Sequence, residues 1–164
     1  MNSLGFLRRT AGAAGFVAFA TALAMPATAT AGPFSGLQGE WSGSGTVQIA
    51  DGGNERIRCR ATYVVASDGN NLKQALRCAS DSYKFDLSTN VRAQGTTLSG
   101  DWSETNRNLN GTIEGRAGNG EFQALVSANG FAASLHMSAK GNRQTITMNS
   151  KNTDLQGVQI TLNR

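Results

Sequence analysis

The chain has 164 residues, with 15 basic and 11 acidic side chains, 20 glycines, 2 prolines, 2 cysteines and 1 histidine. Such a length holds one domain around one core, and the one histidine, His136, falls on the polar face without the partners of a Ser-His-Asp or Cys-His arrangement. The formal charge of +4 shrinks to about +2 once Arg8 and Arg9 leave with an N-terminal leader, so it argues only weakly for a nucleic-acid partner.

A leader is what the first element spells. Arg8 and Arg9 precede an apolar run from Ala11 to Ala24, Pro26 breaks that run, and small residues alternate through Ala27, Ala29 and Ala31. This is the layout of a secretory signal peptide, and the run is too short to span a bilayer. Cleavage is expected after Ala31, which leaves residues 32–164 as a single β-barrel domain, periplasmic or secreted, with no membrane span. Export also puts Cys59 and Cys78 in an oxidising compartment, where a disulfide is the default.

From Leu37 onward, short runs alternate apolar and polar residues between glycine-containing dipeptides, and no capped helical period interrupts them. Residues facing each other across a hairpin have a constant sum of numbers, so each turn sets a register. A loop from Asp51 to Glu55 sets Val47 against Cys59 and Gly43 against Tyr63. A turn at Asp68-Gly69, a favoured hairpin dipeptide, sets Val65 against Leu72, Tyr63 against Gln74, Ala61 against Leu76 and Cys59 against Cys78. Turns at Ser80-Asp81 and Gln94-Gly95 pair Leu76 with Phe85 and Val91 with Leu98. Turns at Asn129-Gly130 and Lys140-Gly141 pair Phe122 with Met137 and Leu135 with Ile146.

These registers gather Trp41, Ile57, Leu87, Trp102, Leu109, Ile113, Ile160 and Leu162 on one face and leave the other largely polar. A slip of one residue in any hairpin would scramble that division. The fold expected is all-β: an antiparallel up-and-down meander of about ten strands, closed as a soluble barrel. The alternative arrangement turns the apolar face to lipid. Against it stand both cysteines, Gln74 and Gln144 on that face, and too few aromatics for two interfacial girdles.

Leu37 to Gly45 reads LQGEWSGSG, and LSGDW echoes it at Leu98 to Trp102. This opening resembles the first strand of lipocalin, avidin-like and nitrobindin-type barrels, the calycin-type secreted β-barrels. Small barrel inhibitors of secreted metalloproteases also combine an early L-x-G-x-W strand with one disulfide. The lipocalin and avidin-like resemblance implies that Trp41 closes one barrel end, with Arg164 from the last strand over it. The rest of the lipocalin signature and an avidin-style set of biotin contacts are absent, so no family is assigned.

Small residues on the apolar face (among them Gly43, Gly45, Ala61, Gly100, Gly111 and Gly115) either leave a cavity or let the sheet curl until larger side chains pack over them. On the cavity reading, the candidate ligand-binding residues are Tyr63, Gln74, Tyr83, Phe85, Trp102, Phe122, Met137 and Gln144. Gln74, Thr89 and Gln144 form a polar set on that face that orients a ligand or sits hydrated near the ends. Arg56, Arg58, Arg60, Lys73, Arg77 and Lys84 form a basic row on the polar face, with Arg60 opposite Arg77 and Arg77 opposite Lys84. Like charges set opposite each other are destabilising. The row is therefore either a surface for an anionic envelope component or protein, or a solvated wall with screened side chains. No aromatic ladder accompanies it, which argues against nucleic acid.

His136 falls opposite Gln123 on the polar face, away from any metal or haem partner. Asp101 points outward and Glu104 sits near a loop, so no carboxylate pair converges. The glycines of EGRAGNGE (Glu114 to Glu121) lack the strand-to-helix setting of a phosphate loop and read as a turn. The expected function is a barrel that binds a small, partly apolar ligand without chemistry, metal or cofactor. Its rival is a protein-interaction barrel, a protease inhibitor or envelope-binding factor, acting through Pro33-Phe34, the loops or the basic row.

Overall fold

The computed structural model describes residues 31–151 and 153–164; the expected signal peptide lies, except for Ala31, outside them. Ten strands follow one another: β1 (Gly39–Ile49), β2 (Asn54–Val65), β3 (Asn71–Ala79), β4 (Lys84–Gln94), β5 (Thr97–Glu104), β6 (Leu109–Gly118), β7 (Glu121–Ala128), β8 (Phe131–Lys140), β9 (Arg143–Ser150) and β10 (Leu155–Asn163). Each pairs antiparallel with the next, and β1 also pairs with β10, so the sheet closes into a barrel. Closure removes the unpaired edges that an open meander would leave.

The apolar face is the inner one. Val47, Ile57 and Leu162 are wholly buried, while their strand neighbours Gln48, Arg58 and Asn163 are exposed. The lipid-facing arrangement is therefore not the one adopted. No helix of the described residues is long and apolar enough to cross a membrane.

Two hairpins have the register that their turns imply: β2–β3, with Cys59 opposite Cys78, and β7–β8, with Phe122 opposite Met137. Cys59 and Cys78 are bonded, 19 residues apart in sequence, and both are buried inside the wall. The other four registers are corrected. Gly43 faces Cys59 and Val47 faces Glu55, because the β1–β2 loop closes tightly through Ile49 N–H to Gly53 C=O (2.9 Å) and Gly52 N–H to Ile49 C=O (3.0 Å). Leu76 faces Leu87, and Cys78 faces Phe85, because Ser80 to Tyr83 form the turn, with Ser80 N–H bonded to Tyr83 C=O at 2.8 Å. Ala93, not Val91, faces Leu98, and Met137, not Leu135, faces Ile146. In those two turns Gly95 (φ 60) and Gly141 (φ 57) take the first central position, where a type II′ turn needs positive φ.

The inner glycines have a steric reason. At Gly43, Gly45, Gly100, Gly111 and Gly115, an added Cβ would fall against a carbonyl oxygen of the neighbouring strand. Strand glycines mark such close backbone approaches. They cluster on β1 and on β5–β6, which lie on opposite sides of the ring. These residues are small because the wall bends and closes there, and their size alone is no argument for a cavity.

Candidate ligand-binding lumen

One end of the barrel is plugged. Residues 32–38 cross it, tied to the β2–β3 loop by Gly32 N–H to Asp68 C=O (2.9 Å) and Phe34 N–H to Gly69 C=O (3.1 Å). Phe34 stacks on Phe122 with ring centroids 5.8 Å apart, and Leu37 is buried beside it. The chain then turns at Gly39, whose φ of 112° is open to glycine, and Trp41 enters the barrel. Its indole N–H donates to Leu37 C=O at 2.8 Å, and its ring meets the Tyr63 edge at 6.4 Å. The Arg164 guanidinium covers it at 4.9 Å, held by a 2.8 Å bond to Gln38 C=O. The Trp41–Arg164 closure that the resemblance implies is thus present. Pro33-Phe34 is corrected as an interaction element: Phe34 is 1% exposed and belongs to the plug.

The opposite end is the mouth, framed by the loops after β1, β3, β5, β7 and β9. Tyr83 stacks on Phe85 at 6.1 Å, and the Arg107 guanidinium sits 5.1 Å from the Phe85 ring centre. Trp102 donates its indole N–H to Ser127 C=O at 3.2 Å and meets the Phe131 ring at 5.9 Å. Glu104 points inward here and is 4% exposed. It accepts from the backbone N–H groups of Asp86 (3.0 Å) and Arg107 (2.7 Å) and from the Asn106 amide (2.9 Å). Burial works to raise its carboxyl, but these bonds outweigh it and hold the group below the usual carboxylate range. Glu104 ties the β5–β6 turn to β4. Sequence spacing places Glu104 only near a loop; a lone acid at an inward position is the signal that points to it.

Between plug and mouth, the two sides of the lumen differ. Along β1, β2 and β10, Val47, Ile57 and Leu162 are packed out at 0% exposure, while Ile49, Val65 and Val158 are half-buried. Along β4, β6, β8 and β9 the inward Leu87, Thr89, Val91, Ile113, Leu135 and Met148 are only half-buried. The wall is closed, so such side chains gain accessible area from the lumen; Leu135 also borders an open depression on the outer face.

The eight candidate ligand residues fall into two groups. Tyr63, Gln74, Phe122, Met137 and Gln144 lie in the plugged half, and Tyr83, Phe85 and Trp102 lie toward the mouth. Phe122 is occupied by Phe34. Tyr63 and Gln144 are 1% and 0% exposed, and the Tyr63 hydroxyl donates to Gln144 Oε1 at 2.8 Å. Burial pushes the Tyr63 phenol well above its ordinary value, so it stays protonated. Gln74 Nε2 donates to the same hydroxyl at 3.4 Å, and Gln74 Oε1 accepts from the Thr89 hydroxyl at 3.0 Å.

On the outside, Arg56, Arg58, Arg60, Lys73, Arg77 and Lys84 are all exposed. Arg60 faces Arg77, but Arg77 faces Asp86, with an ion pair at 3.2 Å, and Lys84 faces Ala79. The predicted opposition of Arg77 and Lys84 is corrected, and an acid interrupts the row. His136 lies 3.2 Å from Glu121, which also accepts from Ser138 at 2.7 Å. The Ser138 bond, with Lys140 and His136 nearby, holds the Glu121 carboxyl below its ordinary value. A depression of about 490 Å³ beside them, floored by Gly115 and Ala124, is open and shallow, with His136 and Arg116 at its edge. Among the described residues, no group of three or more His, Cys, Asp or Glu is placed to hold a metal ion.

No protein-family model matches the chain. No curated protein matches it either. Among solved structures, Rv2717c from M. tuberculosis is similar, with a TM-score of 0.63 and 11% identity over 79% of this chain and 93% of that one. The S-type phycobiliprotein lyase CPES from Guillardia theta has a TM-score of 0.58 and 11% identity over 80% of this chain and 89% of its own. Both are barrel proteins of the calycin-like fold, and at this identity the likeness is one of fold. It corrects the expectation of a barrel without chemistry: a protein named a lyase uses this fold, so the fold gives no ground for excluding catalysis. A disulfide-bonded barrel of this kind is compatible with an extracellular location.

Proposed function

We propose that the chain is an exported barrel that holds a small, partly apolar ligand in its lumen. The observation that carries this reading is the uneven filling of a closed wall. The inward Leu87, Val91, Ile113, Leu135 and Met148 keep accessible area that Val47, Ile57 and Leu162 have lost. Unfilled apolar surface inside a barrel, next to a few convergent polar groups, is the usual make-up of a small-molecule site. The mouth adds aromatic surface at Tyr83, Phe85 and Trp102, and the plug leaves it as the way in. Export is supported by the leader layout and by a buried disulfide, which suits an oxidising compartment. The likeness to a phycobiliprotein lyase favours a small molecule over a protein partner and leaves room for chemistry on it.

Native mass spectrometry of the mature protein, purified gently from an oxidising export compartment, tests the reading. A discrete bound mass that denaturation releases is the expected result. Failure of any neutral apolar probe to bind the purified barrel would overturn it.

A further inference from the structure

The lumen contains a hydrogen-bonded chain of side chains that runs from the accessible space into the packed floor. Thr89 donates to Gln74 Oε1 (3.0 Å), Gln74 Nε2 lies 3.4 Å from the Tyr63 hydroxyl, and Tyr63 donates to Gln144 Oε1 (2.8 Å). Exposure falls along it, from half-buried Thr89 and Gln74 to Tyr63 at 1% and Gln144 at 0%. The inner end is unbalanced, because Gln144 Nε2 is buried with no partner.

Turning the Gln144 amide over does not repair this, since Oε1 would then be orphaned in place of Nε2. It does permit every bond in the chain to reverse. Gln144 would donate to Tyr63, Tyr63 to Gln74 and Gln74 to Thr89. Heavy-atom positions fit both directions equally, because amide orientation and hydroxyl rotation follow the network. In one direction Thr89 offers the lumen an acceptor oxygen; in the other it offers an O–H donor. Gln74, half-buried, faces it across the β3–β4 pair. No inward-facing strand position carries lysine or arginine, and the inward Glu104 is already bonded to Asp86, Asn106 and Arg107.

We infer that the ligand is neutral, an apolar body ending in one hydroxyl or carbonyl oxygen, and that Thr89 and Gln74 bind this oxygen at the outer end of the reversible chain. The inference rests on the lumen-binding reading and narrows it. A hydroxyl or carbonyl oxygen matches one or the other direction of the chain. A carboxylate at Thr89 and Gln74 would be desolvated with no cation to meet it, since Arg107 lies out at the mouth beside Phe85. The apolar body would lie against Leu87, Val91 and Trp102, which adjoin Thr89 along β4 or face it from β5.

The test uses the disulfide-intact mature protein and a neutral fluorescent probe, N-phenyl-1-naphthylamine, displaced by 1-decanol, 2-decanone or decanoate. The alcohol and the ketone should each displace it at concentrations about tenfold below that needed for the carboxylate. Thr89→Val, nearly the same shape, and Gln74→Leu should each weaken the alcohol about fivefold, roughly the worth of one hydrogen bond. Thr89→Ser, which restores the hydroxyl, should recover it. Decanoate binding as well as decanol, or decanol affinity unmoved in both variants, would overturn the inference and leave lumen binding standing. If the probe does not bind wild-type protein at all, lumen binding fails, and the inference with it.

Discussion

At the plugged end, Trp41 is 2% exposed, with its N–H on Leu37 and Arg164 over its ring; toward the mouth, Trp102 is 7% exposed, with its N–H on Ser127 and Phe131 at its edge. The two stand in nearly the same word, LQGEW and LSGDW. In the first, Gly39 adopts positive φ and folds Leu37 back beneath the ring. In the second, Leu98 stays in β5, and Gly100 is needed because the Asn90 carbonyl comes too close for a Cβ. One tryptophan seals a floor and the other lines an opening. The difference comes from what lies next to each: residues 32–38 cover the first, and Phe131 and Ser127 of the wall flank the second.

Truncation should expose that contrast most strongly. Trp41→Ala removes packing, an indole hydrogen bond and the Arg164 stack together, and should cost about 3–5 kcal/mol by denaturant unfolding. Trp102→Ala should cost less, about 2–3 kcal/mol, and should change probe binding in the lumen. Equal costs would break the comparison.

The disulfide is next in size. Cys59 and Cys78 close a loop with a sequence separation of 19, for which chain entropy gives about 3 kcal/mol. Reduction, or a Cys59→Ala/Cys78→Ala double variant, should lower the unfolding midpoint accordingly. Both sulfurs lie on the packed side, so lumen binding by folded protein should persist. Unchanged unfolding on reduction would refute the stabilising role.

A matched pair of leucines sharpens the contrast between the packed and open sides. Leu162 is 0% exposed on β10, whereas Leu135 is half-buried on β8. Leu162→Ala leaves a sealed void and should cost about 3–4 kcal/mol, whereas Leu135→Ala enlarges a space already open and should cost about 2 kcal/mol. Similar losses at both sites would mean that the lumen is packed on every side.

How the sequence fell short follows from the turns. An X-Gly dipeptide allows the glycine at either central position, and placing it one residue early moves each partner by two. Gly95 and Gly141 take the first position, so the partners of Val91 and Leu135 move by two residues and every residue keeps its face. A two-residue error preserves alternation, which is why the inner and outer faces and the closed meander were legible. At Asp68-Gly69 the register itself was right, and the cysteines met. The plug was not legible, because Phe34 and Leu37 lie in a turn with no strand period, and only their contacts with Phe122 and Trp41 explain their burial. The Thr89–Gln74–Tyr63–Gln144 chain was visible only as polar positions on the apolar face. Its bonds join side chains up to 81 residues apart, and such spacing leaves no local pattern.

The smallest expected effect is the titrating part of the Glu104 contribution at the mouth, where β4 and β5 depend on one carboxylate. Burial opposes its charge, while the Asp86 and Arg107 N–H groups and the Asn106 amide favour it more strongly, and its carboxyl lies below the usual value. A group depressed in the folded state stabilises fully above its unfolded value, near pH 4.3, and loses that contribution as pH falls through the folded value. Wild type should therefore melt at a higher temperature than Glu104→Gln at pH 6, and the gap should narrow from about pH 4.5 downward. Glutamine has one acceptor oxygen where Glu104 uses two, so part of the gap does not titrate and should persist in acid. Salt should matter little, because the bonds are short and the group is 4% exposed. A gap constant from pH 6 to 3 would mean that Glu104 holds the turn by shape alone, and would leave the mouth without its charge-dependent tie.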